Sequence, residues 1–171
     1  MSYLKVRELA VQQIKDGMLP IYPKMRIEAH PGAFTEQTIK QEAQRTPAIL
    51  TSLLRAADGV YSNSITFVSW VLYRASNSDK LYDGALKIIS ALIPVIRNAN
   101  FDLAIKDVPI EAECLYSGAL DAIAVTLWAV KWELVLGERA FIHGSLEGIE
   151  QIESFHGTAT VGRDETKITE E

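Results

Sequence analysis

With 171 residues, 48% of them hydrophobic and 23% charged, the chain matches one ordinary globular domain, long enough to build a core without disulfides or metals. A net charge of −5 and an isoelectric point near 5.3 argue against a dedicated nucleic-acid binder, which needs a basic footprint to neutralise phosphates. The single cysteine, Cys114, rules out an internal disulfide, and no apolar run reaches the roughly 18 residues of a membrane span.

The N-terminus is amphipathic but lacks the continuous apolar stretch of a signal peptide, so a reducing, cytoplasmic site of synthesis is expected. From Ser2 to Gly17, Leu4, Val6, Leu9, Ala10 and Ile14 recur near helical spacing, and Gly17 and Pro20 end the helix. Met25 to His30 predicts a short strand before a turn at Pro31-Gly32. Thr35 then fits an N-cap, with Phe34 and Ile39 at the two positions of a hydrophobic staple, for a short helix from Glu36 to about Arg45.

Pro47 to Leu54 predicts a strand ending in the turn residues Ala57-Asp58-Gly59. Ser64 to Arg74 is β-branched and aromatic on both faces, as a central strand requires. Asp79 can cap the longest helix, Lys80 to about Asn98, whose apolar stripe runs from Leu81 to Ile96; Pro94 predicts a kink or an early end. Pro109 to Tyr116 predicts a strand with Glu111 and Glu113 on one face, followed by a turn at Ser117-Gly118.

The most distinctive segment runs from Asp121 to Gly137. On a period of two, Thr126, Trp128, Val130, Trp132 and Leu134 point one way, and Val125, Leu127, Ala129, Lys131 and Glu133 the other. The order of elements predicts a single α+β domain over 1–153. Its sheet is mostly antiparallel or mixed, of about four to five strands, with helices packed on one face. A further short helix is expected around Leu146 to Ile152. Residues 154–171 hold four acidic and two basic residues and few large apolar ones, which suits a disordered tail or an arm that orders on a neighbouring subunit.

Signals for chemistry are absent. His30, His143 and His156 have no metal-ligand spacing, and Cys114 lies among Glu111, Glu113 and Tyr116, a poor setting for a thiolate. Glu111 and Glu113 could pair as catalytic carboxylates, but a charged, solvated strand face is the simpler reading. No glycine-rich phosphate loop or hydrolase elbow occurs. Trp70, Trp128 and Trp132 could stack on a sugar or base, yet on strands of a compact domain they read as core or interface anchors. No enzymatic activity, cofactor or metal is expected.

The segment R-I-E-A-H-P-G-A-F-T-E-Q-T-I-K-Q-E-A-Q-R-T-P-A-I-L, Arg26 to Leu50, resembles a family of small proteins of Mu-like bacteriophages and prophages. The later T-F-V-S-W-V-L-Y-R strand, the helix after it and the final A-V-T-L-W-A-V-K-W-E strand are also similar, so the likeness covers Met25 to Leu136. The N-terminal helix and everything after Gly137 lie outside it. Each piece is weakly specific, and their order is the stronger signal.

The resemblance implies a tail terminator or head–tail connector: a small α+β subunit working as a ring, by expectation a hexamer, with no catalytic residues. Its partners would be further copies of itself, the tail tube, a sheath protein and a neck protein. DNA would pass through the channel without specific binding, which mild acidity suits, and no membrane is involved. The protein would reside in the virion at the tail and neck, after assembly in the host cytoplasm. An exposed strand edge such as that bordering Pro109 to Tyr116 could be buried by the ring, and the C-terminal segment could add a strand to the next ring. Glu111, Glu113, Lys131 and Glu133 are the candidate interface or lumen residues. The alternatives are a neck or adaptor protein of the same particle, or a small-molecule-binding α+β domain with a pocket between helix Lys80–Asn98 and the sheet.

Overall fold

A computed structural model describes residues 3–32, 34–58, 62–76, 78–99, 104–105, 109–120 and 123–137. The elements in chain order are α1 (Tyr3–Met18), β1 (Arg26–Ala29), α2 (Glu36–Ala43), β2 (Ala48–Asp58), β3 (Ser62–Ala75), α3 (Ser78–Asn98), β4 (Ala104–Ile105), β5 (Ile110–Leu120) and β6 (Ile123–Gly137). The helix expected around Leu146 to Ile152 and the polar segment 154–171 lie outside the described residues.

The fold is α+β, built on one mixed sheet of six strands in the order β1-β2-β3-β6, with β4 and β5 both pairing with the outer side of β6. β1 runs parallel to β2, and every other pairing is antiparallel. Residues of β6 alternate as the sequence predicts: Trp128, Val130, Trp132 and Leu134 enter the main core, and Leu127 and Val125 enter two small clusters on the other face.

α1 and α3 cover the first face. α1 inserts Val6, Ala10, Val11, Ile14 and Met18, at the spacing of one helical stripe. α3 inserts Leu81, Ala85, Ile88, Ile89, Leu92 and Ile96, all buried. Two glycines let these layers approach. A Cβ on Gly17 would collide with the Val95 side chain, and one on Gly84 would collide with the Tyr73 ring. α2 makes a second, smaller layer on the opposite face. Its Ile39, together with Phe34, packs against Ala48, Leu50, Leu72 and Leu127, which alternate with the residues beneath α1 and α3.

The structure corrects the expected boundaries at several points. α3 does not end early at Pro94 but continues to Asn98. Proline removes one hydrogen bond to the carbonyl four residues back, here Ser90, and both residues are exposed, so the freed carbonyl lies on the solvent side. Ser117 and Gly118 do not turn; they pair with Thr126 and Val125, and the ladder extends to Leu120↔Ile123. The last strand accordingly begins at Ile123 instead of Asp121, and β2 continues through Asp58 instead of turning at Ala57. The two-residue β4, too short to leave a periodic signal, was not anticipated.

Three polar side chains buried on the helix-covered face satisfy one another. Trp132 Nε1 donates to Ser69 Oγ at 3.1 Å, and Ser69 Oγ is 3.1 Å from Thr51 Oγ1. Ser69→Ala should therefore cost about 1–3 kcal/mol by removing the hydroxyl that accepts from the Trp132 indole N–H and meets Thr51. Thr51→Val, which leaves Trp132 its partner, should cost less; equal losses in urea unfolding would refute this division. Gly84→Ala should lower stability by about 1–3 kcal/mol through the clash with Tyr73. The same change usually favours a helix, so an unchanged or raised urea midpoint would mean that Tyr73 moves aside freely.

Candidate subunit interface

The second face of the sheet has two halves with different character. Over β1, β2 and the ends of β3 and β6 that hold Leu72, Leu127 and Val125, it is closed by the segment from His30 through α2. Thr35 caps α2 by accepting from the Thr38 backbone N–H at 3.2 Å, while Thr38 Oγ1 accepts from the Thr35 N–H at 2.6 Å. Phe34 stacks on His30 with ring centroids 4.4 Å apart and meets Trp70 at 4.8 Å. Trp70 Nε1 in turn donates to Ser52 Oγ at 2.9 Å, which supplies the buried Ser52 with a partner. Arg26 of β1 ion-pairs with Glu42 of α2 and lies 3.4 Å from Glu28, which ties the helix to the sheet margin.

The turn before α2 depends on two backbone demands. Gly32 has φ +95, a conformation that side chains disfavour, and a Cβ there would stand 3.3 Å from Ser52. Its N–H donates to His30 Nδ1 at 3.0 Å, so the imidazole is neutral and carries its proton on Nε2. Burial lowers the His30 pKa from its ordinary value of 6.5; Glu42 pulls it upward, and Arg26 adds to the lowering.

Beyond those strand ends, around the paired halves of β6 and β5, no helix among the described residues covers the same face. Register places Glu111 directly opposite Lys131 and Glu113 opposite Ala129. On the other side of β6, Lys131 pairs with Val68 and Glu133 with Thr66. Cross-strand partners share a face, so Glu111, Glu113, Lys131 and Glu133 form one patch. Glu111, Glu113 and Lys131 are exposed and Glu133 is half-buried. Among the described residues none of the four forms an ion pair. The four candidate residues are thus brought together by strand register alone.

The three tryptophans are held within the subunit. Trp132 is 1% exposed and stacks on Phe67 at 4.5 Å. Trp128 is buried beneath α3, with the half-exposed Tyr82 ring edge-on at 5.2 Å; its indole N–H has no hydrogen-bond partner among the described residues. Trp70 is half-buried on the second face. The space between α3 and the sheet, where a small-molecule pocket was considered, is filled by Ala85, Ile88, Leu92 and Ile96 against Phe67, Val71 and Trp128. Cys114 is half-buried against the same core, its Sγ 3.8 Å from Thr126 Oγ1.

Sequence reasoning missed two register shifts. β2 shifts between Leu53 and Arg55, leaving Leu54 without a partner and 51% exposed. β5 shifts between Cys114 and Tyr116, leaving Leu115 unpaired and 48% exposed. A signal for the second was present: the alternation Ile110, Glu111, Ala112, Glu113, Cys114 breaks at the doubled apolar pair Leu115-Tyr116. His143 and His156 lie outside the described residues.

No helix among the described residues is long and apolar enough to cross a membrane. No protein-family model matches the chain, and no curated protein matches it.

The His30 pKa lies lower in the folded chain than in the unfolded one, so the neutral ring contributes stability above pH 6.5 that is lost as pH falls through the folded value. His30→Asn keeps an acceptor for the Gly32 N–H but does not titrate. Between pH 7.5 and 5 the wild type should lose more stability than this variant, read from urea midpoints. Parallel pH profiles would show that His30 makes no such contribution.

Proposed function

We propose that the chain is a structural tail-completion protein of a Mu-like phage or prophage, of the tail-terminator kind. Rings of the subunit would cap the head-proximal end of the tail tube, stop its polymerisation and offer a surface to the neck. No catalytic role is assigned. The reading rests on the resemblance from Met25 to Leu136 and on one structural observation: the subunit has two unlike sides. One side of the sheet is roofed by α1 and α3, while the other, beyond the part under α2, has no helix over it among the described residues and carries the charged side chains Glu111, Glu113, Lys131 and Glu133.

That asymmetry supports assembly by a heterologous contact, in which one surface meets a different surface on the next copy and a suitable rotation closes the ring. Because the large aromatic side chains Trp132 and Phe67 are used inside the subunit, the contact would draw on the open face and the helix layer. A channel bordered by acidic side chains would let DNA slide without holding it.

Native mass spectrometry and light scattering test the proposal. The expected result is a closed ring of about six subunits, alone or on addition of tail-tube protein. A strict monomer that remains so beside tail-tube protein would overturn it. Rings bound to the head-side connector but indifferent to the tube would move the assignment to a neck or adaptor protein.

A further inference from the structure

The open patch has an electrostatic counterpart on the opposite side of the same subunit. α3 buries the stripe Leu81, Ala85, Ile88, Leu92 and Ile96, and its outer face presents Lys80, Lys87 and Arg97, all exposed, together with the exposed carboxylate of Asp83; the only other acid of the helix is Asp79 in its first turn. At the β5–β6 margin the balance is reversed: Glu111, Glu113 and Glu133 stand against the single Lys131. Two further exposed bases on that face stand apart from it: Arg55 pairs with Thr66, two strands away from Glu133, and Arg74 pairs with Val125, towards the other end of β6. Among the described residues no ion pair uses Lys80, Lys87 or Arg97.

We propose that the acidic β5–β6 face of one copy docks against the basic outer face of α3 on a second copy. This deepens the ring reading and rests on it. α3 lies over β3 and β6, so the two patches are set back to back across one sheet. Neither can reach the other within a subunit. Contact between copies is therefore head-to-tail, with each copy using its acidic face towards one neighbour and its α3 towards the other. Such a contact cannot be completed by a symmetric pair, since two copies docked once still leave one acidic and one basic face unused. Opposite charge also sets the polarity of the contact, because joining two acidic faces or two α3 faces brings like charges together.

The test is a charge exchange in the full chain. Glu111→Lys with Glu113→Lys, and separately Lys87→Glu with Arg97→Glu, should each weaken assembly by about tenfold or more, read as the protein concentration at which rings form. All four residues are exposed, so thermal melting should be unchanged. The four substitutions combined in one chain should restore ring formation, a rescue that mere damage to folding would not give. Assembly should also weaken with added salt. If the wild type forms rings and both charge-reversed variants form them equally well, this contact is wrong while the ring reading stands. Failure of the combined chain to recover equally overturns the pairing of these two faces. Rings that form normally but no longer bind a neck protein assign the acidic face to that partner instead. A wild type that never leaves the monomer removes the ring reading and this contact with it.

Discussion

The ladder between β3 and β6 is the constraint on which the rest depends. Ser62 to Ala75 pair with Gly137 to Ala124 in unbroken register, so a shift of one residue anywhere would turn every side chain of one strand to the wrong face. The apolar pattern forbids that shift. Phe67 would leave Trp132, Ser69 would leave the indole that it accepts from, and Lys131 would enter the layer beneath α3. The helices then have a fixed surface on which to settle, and Gly84 beside Tyr73 sets how closely α3 can lie.

Outwards from that ladder the two faces are stabilised by different means. The helix-covered face relies on burial of a large aliphatic and aromatic cluster, with Thr51, Ser69 and Trp132 satisfying one another inside it. The second face relies on a smaller set of directional contacts: a capped helix, a stack of His30 on Phe34, and Arg26 reaching Glu42. Among the described residues these cover only part of the sheet. What remains open is charged, and its composition changes between the β2 side and the β5 side.

Local patterns made much of this legible in the sequence. The alternation of β6 already separated Trp128 and Trp132 from Lys131 and Glu133, and Thr35 with Phe34 and Ile39 announced the start of α2. Glu111 and Glu113 could be placed on one face from spacing alone. Pairings across the sheet were not legible. That Glu111 meets Lys131 depends on register, and the bond from Trp132 to Ser69 spans 63 residues of sequence. Ser117-Gly118 misled because turn chemistry is local, while here a ladder already running along β6 held both residues in strand geometry. Pro94 misled in the same way: the apolar stripe continued beyond it, and burial of Ile96 outweighed one lost hydrogen bond.

The unpaired Leu115 has a consequence for solubility. β5 borders no further strand among the described residues, and a long, regular free edge offers its backbone to any extended chain in a crowded cell. The extra residue interrupts the spacing of donors and acceptors midway along that edge and increases the local twist, and Glu111 and Glu113 add charge beside it. An intruding strand therefore finds no continuous template to zip onto. Backbone is alike in every protein and cannot choose a partner; side chains can. By spoiling its own edge, the subunit leaves recognition to surfaces that are able to discriminate.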